Sequence, residues 1–187
     1  AGALVVGKTN LDQFATGLNG TRSPYGAPRN AYNLAYVSGG SSSGSATAVS
    51  AGLVAFALGT DTAGSGRVPA AFQHLIGFKP TKGRWSTSGL VPACRTIDCI
   101  TVFTGDTADV RLIDGVIAGY DAADPYSRPL ADRPLGHARI GVPLRHQRVF
   151  FGDPESEYLY DRALEVLGQS AEIVEIDIEP LLEAARL

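Results

Sequence analysis

An α/β fold is predicted for this 187-residue chain by three observations. Short apolar runs of strand length alternate with helical patterns along its length. Gly- and Pro-rich turns separate them, and one stretch, residues 154–167, carries a clear helical amphipathic period. Apolar residues make up 44% and charged residues 19%, as in an ordinary globular protein long enough to bury a substantial core.

Taken in order, Ala3–Val6 reads as a short buried strand, and Leu11–Ala15 as a brief helix with Asn10 as its N-cap. Residues 19–36, with Pro24 and Pro28, are loop-like. The densest Gly/Ser stretch, Ser38 to Ser45, runs into Ala46–Ala51, small residues suited to a tightly packed helix. Leu53–Leu58 reads as a strand, ending in Gly59–Arg67, and Leu75–Phe78 and Ile100–Phe103 as two more. Asp106–Ala118 is helical, with Val110, Ile113, Val116 and Ile117 on its apolar side. Asp124–Pro134 is a Pro-rich surface connection and Ile140–Val142 begins another strand. Pro154–Leu167 places Tyr160, Ala163, Leu164 and Leu167 on one helix face, Ala171–Ile178 alternates as a strand does, and Leu181–Leu187 is helical. The sheet is expected to be largely parallel or mixed, with no internal repeat and no sharp domain boundary.

Bulk properties exclude several classes. The formal charge of −3 and the lack of a Lys/Arg block argue against nucleic acid. No apolar run is long enough to span a bilayer. Cys94 and Cys99 are too few for a disulfide scaffold and lack His companions at metal-ligand spacing, so no metal is expected and a reduced, cytoplasmic setting fits. The chain contains no Met, and it is expected to be part of one domain, residues 1–187, truncated at both ends.

Gly2-Ala3-Leu4-Val5-Val6-Gly7-Lys8-Thr9 matches the spacing of a phosphate-binding loop. Its four intervening residues prefer an extended strand rather than a loop of phosphate-facing amides, and a buried strand ending in a solvated Lys8 is the competing reading. Nucleotide binding is kept only as the rival class. The Gly/Ser stretch carries more. It abuts a small-residue helix and lies 24 positions before Ser65, itself flanked by Gly64 and Gly66 at the end of a strand. Glycines beside a serine let backbone approach a carbonyl closely and leave amides to hold the negative charge of acyl transfer. A Ser-His-Asp arrangement would draw on His74, His137 or His146 with Asp61, but no histidine has a distinctive context and Ala63 breaks the G-x-S-x-G elbow. A Ser-Lys relay is the other option.

The stretches Gly39-Gly40-Ser41-Ser42-Ser43-Gly44-Ser45-Ala46 and Leu58-Gly59-Thr60-Asp61-Thr62-Ala63-Gly64-Ser65-Gly66-Arg67-Val68-Pro69-Ala70 closely resemble the amidase-signature family. So do Gly7-Lys8-Thr9-Asn10 with Phe14-Ala15, and Gly77-Phe78-Lys79-Pro80-Thr81 with Gly83-Arg84. The resemblance implies a mixed β-sheet core surrounded by helices and a Ser–cis-Ser–Lys triad. By position, Ser65 matches the nucleophile and Ser41 the relay serine after a cis peptide bond. Thr62, Ala63, Gly64 and Ser65 match the amides of the oxyanion hole, and Thr16 and Gly17 the segment bordering the substrate pocket. Two positions depart from the common pattern: Gly66 replaces an aliphatic residue and Ala63 a glycine. The combination around Thr62–Pro69, with Val91-Pro92-Ala93-Cys94-Arg95-Thr96, Asp98-Cys99 and Phe150-Phe151-Gly152-Asp153, is similar to the allophanate hydrolase branch.

The third triad member in that family is a lysine upstream of the Gly-Lys-Thr-Asn stretch. Lys8, Lys79 and Lys82 do not match its motif, so it is expected outside this chain, which alone would then be catalytically incomplete. The implied reaction is hydrolysis of allophanate (urea-1-carboxylate) to ammonia and carbon dioxide. The alternatives are a general amidase and an amidotransferase A-type subunit. No cofactor is implied. The expected partners are a small-molecule amide, a second copy of the chain in a homodimer, and a functional link to a biotin-dependent urea carboxylase.

Overall fold

The computed structural model describes residues 2–129, 136 and 138–186. Residues 1–131 and 132–187 form two compact units. The part of the expected 124–134 connection beyond residue 129 lies outside the described residues, as do His137 and Leu187.

The first unit is built around a three-stranded antiparallel sheet in the order β1 (Ala57–Asp61), β3 (Cys99–Thr104), β2 (Ile76–Phe78). Leu58 pairs with Val102 and Asp61 with Cys99 across β1 and β3, while Gly77 pairs with Phe103 across β2 and β3. β3 is central and covered on both faces, which explains its unbroken run of apolar and Thr residues. Side chains alternate across a strand. Phe103 therefore packs with Ala46, Val49 and Ala70 on one face, and Val102 with Trp85 and Val110 on the other.

Helix α1 (Ser43–Ser50) has almost no large side chains and docks through hydroxyls instead. Ser45 Oγ donates to the Leu58 carbonyl at 2.7 Å, Ser50 Oγ donates to the Gln73 carbonyl at 2.9 Å, and Gln73 Nε2 donates to Thr47 Oγ1 at 2.9 Å. Such small residues let the helix lie close against β1, so the loop before it sits beside the end of that strand. Helix α2 (Arg67–Phe72) joins β1 to β2 and has no counterpart in the sequence expectations. Helix α3 (Thr107–Ile117) is capped by Asp106, whose side chain accepts from the Asp109 amide, and Asp114 ties it to Arg84 Nε and Trp85 Nε1.

The second unit is a β-α-β arrangement in which β4 (Arg139–Pro143) and β5 (Glu172–Ile176) pair in parallel, connected through α4 (Pro154–Gly168). Asp153 caps α4 by accepting from the Glu155 and Ser156 amides, with Pro154 in the first turn where a missing N–H costs nothing. On its expected apolar face Tyr160 and Leu164 are half-buried, whereas Ala163 and Leu167 are exposed. Helix α5 (Glu179–Arg186) closes the described chain.

Five expectations are corrected: the sheet of the first unit is wholly antiparallel rather than parallel or mixed, the chain divides into two compact units where no boundary is expected, and three local readings change. Residues 3–6 form no strand: Leu4, Val5 and Val6 are exposed, and no strand pairs with them among the described residues. Asn10 is not a cap; its Nδ2 donates to the Gly26 carbonyl, and Asp12 precedes the short 3-10 turn Gln13–Ala15. The strand expected at Leu53–Leu58 starts at Ala57, since pairing with β3 rather than local hydrophobicity sets its limits.

Candidate active site

β1 ends at Asp61, and a tight turn, residues 62–66, leads into α2. The buried Asp61 carboxylate organises this turn. Its Oδ1 accepts from the Gly64 amide at 2.9 Å and Arg67 Nη2 at 3.0 Å, and lies 3.2 Å from Lys79 Nζ. Its Oδ2 accepts from the Gly66 amide at 3.1 Å, the Arg67 amide at 3.0 Å and Arg67 Nε at 2.9 Å. Burial pushes the carboxyl pKa up, but the Arg67 side chain, the Arg67 and Gly64 amides and Lys79 outweigh it and hold Asp61 well below the usual carboxylate range. None of its donors is an imidazole. Asp61 is therefore not the acid of a Ser-His-Asp triad, and His74 instead lies edge-on to the Tyr32 ring.

Ser65 stands in this turn, 4% exposed. Ser41 belongs to the facing Gly/Ser loop, preceded by a cis Gly40–Ser41 peptide bond. The two segments are tied together by the Ser42 amide, which donates to the Ser65 carbonyl at 3.2 Å, and by Ser42 Oγ, which donates to the Thr60 carbonyl at 3.2 Å. Ser41 is fully buried, and its hydroxyl has no hydrogen-bond partner among the described residues. Buried hydroxyls are normally satisfied, and the Thr101 hydroxyl of β3, packed against Gly66, is the other buried one left open among the described residues, so both open hydroxyls lie beside the Ser65 turn.

The Ser41 loop rests on Asp12. The Asp12 amide donates to the Ser41 carbonyl at 2.9 Å, while its fully buried carboxylate accepts from the Gly20 amide at 3.0 Å and the Arg22 amide at 2.7 Å. Gly40 is required there, because a Cβ would meet Asp12 Oδ2 at 2.2 Å. Gly66 is equally constrained: a Cβ would lie 2.4 Å from Thr101 Cγ2 of β3. This explains the departure at position 66, since the buried Thr101 side chain fills the space an aliphatic side chain would need.

Among the predicted oxyanion donors, the amides of Thr62, Ala63 and Ser65 meet no acceptor among the described residues. The Gly64 amide is different, being committed to Asp61. Thr16 and Gly17 lie beside the Ser41 loop: the next residue, Leu18, accepts from the Gly40 amide at 2.8 Å, and a Cβ on Gly17 would meet Asp12 Oδ2 at 2.7 Å. The Thr16 hydroxyl is used locally, donating to the Gln13 carbonyl at 2.8 Å. Residues 2–9 form no phosphate-cradling loop. Residues 3–9 line a cavity of about 760 Å³ whose walls also include Val54, Phe56 and Leu58, and the Thr9 hydroxyl is paired with Ser45 Oγ at 2.8 Å.

Three residues of the site are given no role by the sequence expectations, although Lys79 and Asp98 lie in stretches that resemble the family. Asp12 supports the Ser41 loop. Lys79 Nζ donates to the Thr62 carbonyl at 3.0 Å, and Asp98, 2% exposed, accepts from the Thr62 hydroxyl and from the Ala93 and Cys94 amides. Lys82 serves the same region structurally, donating to the Asp98 carbonyl at 2.7 Å and lying over the Tyr126 ring. The contacts of Thr62 with Lys79 and Asp98 join residues 17 and 36 positions apart.

A serine on a strand–turn–helix, open amides beside it, and a second, buried serine with a free hydroxyl together suit nucleophilic acyl transfer. The sequence profile of the amidase family matches residues 1–187, and the chain belongs to that family. It is 53% identical, over its whole length, to urea amidolyase of Lachancea kluyveri, of which it spans 10%. It is 37% identical over 97% of its length to indoleacetamide hydrolase of Pseudomonas savastanoi, spanning 38% of that protein. The allophanate hydrolase structure from Kluyveromyces lactis superposes with a TM-score of 0.92 at 50% identity, covering 99% of this chain and 31% of that one. The mixed α/β architecture expected from the sequence is thus the architecture of this family.

Proposed function

We propose that the protein hydrolyses a carbon–nitrogen amide bond through an acyl-enzyme on Ser65, and that its substrate is allophanate. The observation that carries this reading is the buried, unpartnered Ser41 hydroxyl in a loop hydrogen-bonded to the Ser65 turn. A hydroxyl both donates and accepts, so Ser41 can pass a proton from Ser65 Oγ to a base while giving up its own. The base, by family resemblance, is a neutral lysine outside this chain. Ser65 Oγ bonds to the amide carbonyl carbon, and the amides of Thr62, Ala63 and Ser65 hold the oxyanion. Collapse breaks the C–N bond, and the proton returns through Ser41 to the departing ammonia. Water then releases the acyl group from Ser65.

The residues 1–187 are read as part of a single amidase domain. Similarity to a urea amidolyase and to an allophanate hydrolase structure supports allophanate over the general amidase and amidotransferase readings. It also supports a functional link to a biotin-dependent urea carboxylase. The test is ammonia release by the full-length protein from allophanate, from simple amides and from glutamine. Ser65→Ala should abolish release and labelling by a fluorophosphonate. Equal rates on allophanate and simple amides would remove the substrate assignment, and turnover by Ser65→Ala would remove the nucleophile.

A further inference from the structure

The ammonium group of Lys79 touches neither serine, yet it grips one side of the peptide unit between Thr62 and Ala63. That unit is planar, and it is trans, the cis bond of this region being Gly40–Ser41. In a trans peptide the carbonyl and the N–H point in opposite directions and cannot turn independently. Lys79 Nζ donates to the Thr62 carbonyl at 3.0 Å and is itself held 3.2 Å from Asp61 Oδ1, so the carbonyl end is fixed. The opposite end is the N–H of Ala63, an exposed residue whose amide has no acceptor among the described residues.

A second handle acts on the same residue. The Thr62 hydroxyl donates to Asp98 Oδ1, and Asp98 is in turn locked by the Ala93 and Cys94 amides at 3.0 Å. Thr62 is thus held at its carbonyl by a cation and at its side chain by a carboxylate, leaving the Ala63 N–H on the side opposite the Lys79 contact. A cation on the carbonyl also polarises the peptide and strengthens its N–H as a donor.

We propose that Lys79 is a positioning residue for catalysis: by holding the Thr62 carbonyl it aims the Ala63 N–H at the oxyanion, with Asp98 steadying the same residue through its hydroxyl. This rests on the Ser65 acyl-enzyme reading. It differs from a proton-carrying role, because the two partners of the Lys79 ammonium are the Thr62 carbonyl and Asp61, and neither is a serine hydroxyl.

The test is steady-state kinetics of the full-length protein on allophanate, with Ser65→Ala as reference. Removing a whole oxyanion donor costs about 10²–10³ in kcat, and misaiming one costs less. Lys79→Met should lower kcat about tenfold, leave KM within about twofold, and leave the pH profile of the remaining activity unmoved. Lys79→Arg, which keeps donors for Thr62 and Asp61, should stay within about threefold of wild type. Unchanged kcat in Lys79→Met would overturn the proposal. So would loss of all activity in both variants at wild-type thermal stability, which would make Lys79 the proton carrier, since arginine stays charged. If Lys79→Met does not fold, the Arg variant decides: kcat within about threefold supports the role, and a fall beyond tenfold at wild-type stability overturns it. Turnover in Ser65→Ala would instead strike the acyl-enzyme reading itself.

Discussion

Replacing Asp61 by asparagine conserves shape at the centre of the Ser65 turn but changes one of two oxygens into a donor. Each oxygen faces three donor groups in the structure, so either orientation of the amide sets an N–H against others. With the nitrogen on the Oδ1 side, the Gly64 amide loses its acceptor, and Arg67 Nη2 and Lys79 Nζ lose theirs. With it on the Oδ2 side, the Gly66 and Arg67 amides and Arg67 Nε are stranded. The Arg67 side chain is 56% exposed and can turn to water, so its share is small. The cost comes from the buried backbone. One or two amides left without an acceptor cost about 1–3 kcal/mol each, and losing the charge weakens every surviving bond. A destabilisation of about 3 kcal/mol follows, equivalent to a fall of roughly 6–12 °C in the melting temperature of a domain this size. Calorimetry of the full-length protein, paired with kcat, measures both. Because the folded carboxyl titrates below its unfolded value, the Asp61 contribution is complete above about pH 4 and shrinks as pH falls further. The deficit of the variant should shrink with it. A melting temperature within about 2 °C of wild type at pH 7, with unchanged turnover, would refute the assignment of Asp61 as organiser of the turn.

Other predictions concern neighbouring groups. Ser41→Ala removes the relay hydroxyl from a site that packs it fully, so kcat should fall about 10²–10⁴-fold with little change in melting temperature; a fall under threefold would remove the relay. Gly66→Ala drives a methyl against Thr101 and should cost about 1–3 kcal/mol, part of which Thr101→Ala should recover in a double-mutant cycle. Additive effects in that cycle would show that the two do not touch. Cys94 is exposed and Cys99 buried, and burial pushes the Cys99 thiol up. A disulfide reagent should therefore modify the native protein at Cys94 and spare Cys99 until unfolding, and the reverse order would contradict the burial of β3.

Much of the architecture is legible from periodicity. β3, α3 and α4 come out close to their observed limits because their apolar patterns agree with the surfaces they bury. The two serines are legible because glycines crowd them, and two of those glycines, Gly40 and Gly66, prove to be where a Cβ would strike Asp12 and Thr101. What fails is whatever depends on a distant partner. The apolar run Leu4–Val6 has strand composition, but a strand is defined by its neighbour, and none of the described residues pairs with it. β1 is displaced because Phe103 and Cys99 set its ends. Asp12 has no local signal, and Lys79 and Asp98 lie in stretches that resemble the family but carry no hint of Thr62, because their roles exist only through contacts made after folding.

Lys79 directly follows β2, and Asp98 directly precedes β3. The two groups that grip Thr62 are thus the first and last residues of a single long connection. Its flanks are also pinned, by Trp85 packed against α3 and by Cys94 bound to Asp98, while Ser88, Gly89, Val91 and Pro92 between them are exposed. Lengthening, shortening or rewriting that tip would leave both anchors where the strands put them. This connection is therefore a permissive site for divergence, a place where a relative can acquire new surface while the strands keep both grips on Thr62 in place.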